Sequence, residues 1–408
     1  MRVLQVIPDL SPLTGGPVTA LKALSRAQAA LGVQTTIATT DHEVDKTPEI
    51  PGVSIRVFPC RWEKWRWSPG LAHFLKNNVH KFDLVSIDSL WRHTTHEAAK
   101  ICRADGIPYV IKANGMLEPW SLAQKNWKKK PYLRWIESSA LQNAAALHAA
   151  SEMEAVNSSM KAWNSSVFIL PIGIQGAPLA DPDLFLRLFP ELADRQVILF
   201  WGRLHYGKQP NLLIEALQLI SVRHPQAFLV MAGPCEVNYL RRLKALAHDL
   251  GLSAKILFTG FLPPRIGRSA CRAASVFVLP SLQESFGVAI AEAMAEGCPV
   301  VVSNRVGIAP AIDAAGAGLV TSPTAEATAA ALSIVLDDVF MRTRMGQNGR
   351  RLASTEFAVE QIAARLRDVY VDVIASERRS SCWLGTSTSD DGSSVLGSLQ
   401  NSTERPYS

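Results

Sequence analysis

Glu284 and Glu292 stand eight positions apart in ESFGVAIAEAMAEGCPVVVS, residues 284–303. A carboxylate can accept two O–H bonds at once, and charge-assisted bonds of this kind are strong. Between the acids, Gly287 lets the backbone pass close to a ligand. A short helix is predicted from Val288 to Glu296, stopped by Gly297, with Pro299 opening the next strand. The free N–H groups and dipole at the start of that helix suit a phosphate. Two carboxylates would repel the phosphate unless hydroxyls engaged them. A diphosphate flanked by two polyols, a sugar and a ribose, meets both demands, and that molecule is a nucleotide sugar. Spacing alone leaves a plainer alternative: Glu292, followed by Ala293, Met294, Ala295 and Glu296, also fits a solvated helix face.

A second motif bears on that choice. WGRLHYGKQPNLLIEAL (201–217) has Gly202 and Arg203 at a strand end, then Lys208, then an amphipathic helix. Two cations at the carboxyl end of a strand can neutralise a diphosphate and stabilise it as a leaving group. Most Arg and Lys residues merely face solvent; the nearby pair of acids favours the functional reading.

These residues need a scaffold, and the pattern supplies one. Short β-rich runs at Val3–Ile7, Gln34–Thr39, Val53–Phe58, Asp83–Ile87, Tyr109–Lys112 and Ala146–Ala149 alternate with helical stretches near Gly16–Leu31, Gly70–Val79, His93–Arg103 and Tyr132–Asn143. The alternation restarts at Val197–Trp201 and continues to Val300–Ser303 and Leu319–Thr321. Two βα-repeating halves predict an α/β chain of two doubly wound, Rossmann-like domains, 1–175 and 176–375, facing each other across a cleft. The Pro/Gly/Asp-rich stretch PIGIQGAPLADPDLF (171–185) reads as the linker, and the last helix of the second half is expected to pack back on the first. From Ser376 to Ser408 the chain is polar and Ser-rich and is expected to be a disordered tail.

Composition bounds the function. A length of 408 residues favours two domains, and 48% hydrophobic content allows a large core. No apolar run is long enough to span a bilayer. The N-terminus breaks at Pro8 and Asp9, which suits a first strand better than a signal peptide. Six scattered cysteines lack a C-x-x-C pair, so reduced thiols and a cytoplasmic chain are expected. Net charge is +6, and residues 1–175 carry 20 Lys/Arg against 14 Asp/Glu. A basic first half favours an anionic partner.

With these motifs in view, the chain resembles glycosyltransferase family 4, of the retaining GT-B type, over about residues 1–375. The resemblance rests on Gly202-Arg203-Leu204 with Lys208, and on Glu284-Ser285-Phe286-Gly287 with Glu292-Ala293. TGGPVTALKALSRAQAALG (14–32) resembles the family's N-terminal glycine loop and first helix. NGMLEPWSLAQKNWKKKPY (114–132) resembles a branch that builds bacterial surface polysaccharides, such as lipopolysaccharide or exopolysaccharide. The resemblance implies that the first domain takes the acceptor and the second the nucleotide sugar. Arg203 and Lys208 would bind the donor diphosphate. Glu284, with amides near Phe286, Gly287 and Val288, would hold sugar hydroxyls. Glu292 would bind the ribose, and Gly15 and Gly16 would let the first-domain loop approach. No metal or other cofactor is implied. Gln209 follows Lys208 where the family commonly has Gly, and Asn114 stands before Gly115 where many relatives carry His. Asn114 is therefore a candidate for a catalytic position whose usual side chain is replaced.

RWEKWRW (61–67) sets Trp62, Trp65 and Trp67 among Arg and Lys, and KNWKKKPYLRW (125–135) repeats that chemistry with Lys128, Lys129 and Lys130. Trp with Lys/Arg suits a lipid headgroup region. A peripheral contact at the inner face of the plasma membrane, with a lipid-linked or oligosaccharide acceptor, is the expectation; an exposed loop and a solvated helix face is the alternative. No nucleic-acid motif is visible. The Asp pair of DPD (181–183) and the pair His93/His96 make poor metal ligands, and His205 is an isolated loop histidine. Three functions stay open: a glycosyltransferase, a nucleotide-sugar epimerase of the same fold, and a non-catalytic nucleotide-sugar-binding homologue.

Overall fold

A computed structural model describes residues 1–11, 16–41 and 49–385, with side chains as far as Arg379. Two parallel sheets form from the apolar runs. The first holds β1 (Arg2–Val6), β2 (Gln34–Thr40), β3 (Val53–Phe58), β4 (Leu84–Asp88), β5 (Tyr109–Lys112), β6 (Ala146–Ala149) and β7 (Val167–Ile169) in the order β3-β2-β1-β4-β5-β6-β7. The second holds β8 (Gln196–Trp201), β9 (Ala227–Ala232), β10 (Ile256–Gly260), β11 (Val276–Leu279), β12 (Val300–Ser303) and β13 (Gly318–Thr321) in the order β10-β9-β8-β11-β12-β13. Central strands such as LVSID and VFVL are buried at every position, because helices cover both faces of a parallel sheet. Each order reverses once, between β1 and β4 and between β8 and β11. A crevice opens at these switch points, outside the carboxyl ends of the strands.

Each sheet has its own core. Leu4, Val85, Ile87 and Ile111 anchor one, and Leu199, Phe200, Val230, Phe277 and Val301 the other. The expected linker leaves the first sheet after Leu170. It ends sooner than the composition suggests: Asp183–Leu188 is already helical, and Phe185 lies fully buried in the second core. The chain returns at Phe357–Val359, where the Ile174 amide donates to Phe357 O at 2.7 Å and the Val359 amide to Ile174 O at 3.0 Å. A Cβ on Gly173 would lie 2.8 Å from Val359 Cα, so the two crossings can pack this closely only at a glycine.

The last helix, Val359–Gly385, then packs on the first sheet, with Ile362, Leu366, Tyr370 and Ile374 against Val3, Leu84 and Val110. It continues beyond Ser376, so the expected disordered tail is corrected as far as Gly385, where the helix simply extends from its buried anchor; residues 386–408 lie outside the described ones. The helix expected over Tyr132–Asn143 is also different. Helical backbone begins at Asn126, carries Pro131 inside, and widens to a π turn over Leu133–Glu137 before Ser138–Gln142. Pro131 has no N–H to donate, so the helix around it lacks one bond before the turn widens. The three residues of β7 are too few for a periodic signal.

Candidate active site

The site is assembled at the second sheet's switch point, from the loops after β8 and β11. After β8 the chain passes Gly202, exposed Arg203 and a tight turn over Tyr206–Lys208. The Leu282 amide donates to Gly207 O at 2.9 Å and ties that turn to the loop after β11. Glu284 is fixed in turn by its amide on Arg305 O (3.1 Å) and by the Gly307 amide on its own carbonyl (2.8 Å). Two loops that are remote in sequence are thus pinned together, and the Lys208 ammonium pairs with Glu284 Oε2. Gly307 permits the approach, since a Cβ there would fall 2.0 Å from Ser285 O.

Beyond Glu284, Phe286 turns into the core against Phe357, with ring centroids 5.2 Å apart, so its side chain is structural and only its amide is available to a ligand. Gly287 adopts φ 99°, left-handed backbone that favours glycine, and opens the helix Val288–Ala295. The amides of Phe286, Gly287 and Val288 donate to no acceptor among the described residues. They form an unneutralised positive helix end. Glu292 lies one turn past Val288 on the same face; its carbonyl accepts the Glu296 amide at 3.2 Å, and its carboxylate is left for a ligand. Burial pushes its carboxyl up to about 7, helped by Glu296 and opposed by Arg268. Arg268 itself is paired to the buried Glu296.

The first domain closes over this edge. A Cβ on Gly16 would sit 3.1 Å from Val288 Cβ, so the glycine is packed against the helix start. Gly15 lies outside the described residues. Ser151 Oγ donates to Ser285 O at 2.8 Å. Gln283 spans the gap in both directions: its Nε2 donates to Gly115 O at 3.0 Å, and its Oε1 accepts the Ser121 amide at 3.3 Å. The Trp120 ring lies edge-on to His205, at 6.0 Å. A Cβ on Gly207 would touch that tryptophan at 2.7 Å. His205 is stacked on Tyr206 and accepts the Gly207 amide at Nδ1. Burial, then Arg203 and Lys208, hold it below its ordinary value, so it is a neutral spacer in the turn.

Asn114 precedes Gly115, whose carbonyl accepts the Gln283 side chain, so it lies beside the loop that carries Glu284. It adopts left-handed backbone (φ 51°), which asparagine tolerates, and its Nδ2 donates to Asp88 Oδ1 at 2.7 Å at the end of β4. Sequence reasoning missed its neighbour Glu118. That residue is 3% exposed, and its Oε1 has no hydrogen-bond partner. Burial, then the charge of Glu154, pushes it up to about 7, against a bond from Asn157. Gln283 was missed as well. Its position one residue before Glu284 was the available signal, but a bridge between domains leaves no trace in local pattern.

The two aromatic-basic stretches divide on exposure. Trp62, at 55%, and Trp67, at 37%, face solvent, as do Lys128 and Lys130. Trp65 and Lys129 do not belong with them. The Trp65 indole donates to Tyr132 Oη at 3.1 Å and packs on His93. Lys129 bonds Ser121 O and lies over the Trp91 ring. More exposed than either expected tryptophan are Trp127 and Trp135, at 76% and 77%. No described helix is long and apolar enough to cross a membrane.

Comparison with known proteins adds family to geometry. Residues 15–160 match the glycosyl transferase 4-like domain, and residues 189–352 match the glycosyl transferases group 1 family. A D-inositol 3-phosphate glycosyltransferase of Corynebacterium glutamicum is 35% identical over 187 residues, 45% of this chain and 44% of that one. The chain thus matches less than half the length of that relative. An uncharacterized glycosyltransferase of Methanocaldococcus jannaschii is 26% identical over 91% of this chain and 98% of its own. Among solved structures, sucrose-phosphate synthase from Thermosynechococcus elongatus superposes with a TM-score of 0.74 at 21% identity, covering 92% of this chain and 99% of the other. Anabaena HepE, in complex with UDP and glucose, gives 0.72 at 19%, covering 91% and 100%. WaaG, a glycosyltransferase involved in lipopolysaccharide biosynthesis, gives 0.71 at 18%, covering 90% and 99%.

Proposed function

We propose that this chain, whose two halves match glycosyl transferase family models on a GT-B fold, moves a sugar, with retained configuration, from a nucleoside-diphosphate sugar to a lipid-linked or oligosaccharide acceptor in surface-polysaccharide synthesis. The single observation that carries the reading is the Lys208–Glu284 pair beside three unused amides at the second sheet's switch point. The diphosphate would lie across exposed Arg203, Lys208 and the start of helix Val288–Ala295. Glu284 and the amides of Phe286–Val288 would take the sugar hydroxyls, and Glu292 the ribose. Charge builds on the leaving diphosphate as the glycosidic bond breaks. The two cations and the helix end would stabilise it, so no metal is required in this scheme. The acceptor hydroxyl would attack from the same face as the departing phosphate, which takes the proton. Asn114, held by Asp88, is the first-domain side chain we assign to the reacting sugar. The similarly folded Anabaena HepE, solved with UDP and with UDP-glucose, favours a uridine nucleotide here.

For the acceptor, exposed Trp62 and Trp67 with Lys128 and Lys130 support a peripheral membrane contact on the cytoplasmic side. The test is a melting series with nucleoside diphosphates and their sugars. A ligand at 100 times its Kd stabilises by about 2.7 kcal/mol. One base is expected to stand out, and its sugar to be transferred. A donor that binds and turns into an epimer without acceptor would indicate an epimerase. Binding with neither transfer nor hydrolysis would indicate a non-catalytic homologue. Failure of every nucleotide to shift the melt sinks the proposal.

A further inference from the structure

The first sheet has a switch point too, between β1 and β4. After β1 comes Asp9, and after β4 come Ser89, Trp91 and Arg92; the loop carrying Arg66 folds over both, its Trp65 carbonyl accepting the His93 amide at 2.8 Å. Arg66 is 7% exposed. Its Nη2 bonds Asp9 Oδ2 at 3.0 Å, while its Nε and Nη1 have no partner. Arg92, whose Nη1 donates to Lys64 O, stands close enough to feel the charges of Arg66 and Asp9. Among the described residues, Asp9 is the one carboxylate bonded to either guanidinium. Two cations against one acid leave a positive charge half out of water, which costs free energy until an anion joins it. The backbone is strained at the same place: Arg66, Ser89 and Trp91 have φ of 57°, 79° and 67° although none is glycine. Strain of this kind collects at ligand clamps. The Trp91 indole N–H is buried and unpartnered, and its ring neighbours Tyr132 at 5.9 Å.

We propose that this crevice binds the phosphate or diphosphate of the acceptor, with Arg66 and Arg92 as its fork and Trp91 beside the attached sugar. The guanidinium geometry matches phosphate oxygens in pairs. The inference rests on the reading of the first domain as the acceptor half.

Inorganic pyrophosphate is the probe, titrated calorimetrically into the full chain. The donor crevice would also bind it, so the background is Arg203→Gln with Lys208→Gln. Pyrophosphate is expected to keep one site in that background. Adding Arg92→Gln should weaken it at least tenfold, and Arg92→Lys, which keeps the charge, should weaken it less. Melting curves identify any variant that has lost its fold, and Arg92→Lys then carries the comparison. Absence of a residual site, or a residual site indifferent to Arg92→Gln, overturns the proposal. Nucleoside diphosphate affinity should be unchanged by Arg92→Gln alone; its loss would also overturn it. If nucleoside diphosphates bind normally without Arg203 and Lys208, the donor reading fails instead, and the Arg92 comparison still decides the anion site.

Discussion

The two sheets share one topology and fill their switch points in opposite ways. In the second domain the cations stand at the rim: Arg203 is exposed, Lys208 is already matched by Glu284, and the helix end beside them is open. In the first, Arg66 is packed under its own loop and paired with Asp9, while the half-buried Arg92 guanidinium bonds only the Lys64 carbonyl among the described residues. A rim of solvated charge admits a ligand with little desolvation. A buried, undercompensated charge selects strongly for an anion that completes it. One fold thus provides a readily reached crevice and a selective one, and contacts such as Gln283 with Gly115 and Ser121 hold the two together.

The sharpest way to break this contrast is Arg203→Ala. Removing an exposed cation should leave the melting temperature within a degree or two yet lower kcat/KM by about 100-fold or more, if it faces charge developing on a leaving group. Near wild-type turnover would make the second crevice a solvated surface like any other.

Glu292→Gln comes next. Losing a charged hydrogen-bond acceptor should weaken the nucleotide about tenfold. Because burial pushes this carboxyl up to about 7, nucleotide affinity should rise as pH climbs from 6 to 8 and ionises it. In Glu292→Gln that slope should vanish; an identical slope in both proteins would remove Glu292 from the site.

A smaller effect sharpens the first-domain side. Glu137 is buried, accepts the Trp91 amide at 2.9 Å, and is pushed up to about 7 by burial. The native state therefore keeps a proton that the unfolded chain, with its carboxyl near 4.5, has released. The stability this contributes is full below pH 4.5 and is lost as pH rises toward 7. Denaturant melts of Glu137→Gln against wild type across that window should show a flatter pH dependence in the variant.

The smallest effect concerns Gln209, a non-glycine residue at φ 54° just before the helix at Pro210. Gln209→Gly relieves left-handed strain and should stabilise the chain by about 1 kcal/mol with little change in turnover. A destabilised variant would mean that the Gln209 side-chain bond to Tyr206 O, at 3.1 Å, outweighs the strain.

The motifs were legible because they are local. Strand ends, Gly287 and the spacing of Glu284 and Glu292 each follow from a few consecutive residues, and two runs of alternating strand and helix predict two doubly wound sheets. Less legible were Phe286, whose apolar side chain goes to the core rather than the ligand, and Trp65, which looked like its neighbours Trp62 and Trp67 until burial separated them. Gln283 was legible only by its place beside Glu284, since its bridge depends on the other domain, and Glu118 was not legible, since its burial is a tertiary fact.

By itself, then, the sequence determined the periodicities, the turn glycines and the placement of chemical groups at strand ends, all of which are set by backbone sterics and short-range burial. The tertiary structure alone decided which groups meet: Lys208 with Glu284 across 76 positions, Arg66 with Asp9 across 57, and the last helix with the first sheet. Such meetings depend on how the loops of separate strands converge, and convergence is a property of the packed sheet that no stretch of chain encodes alone.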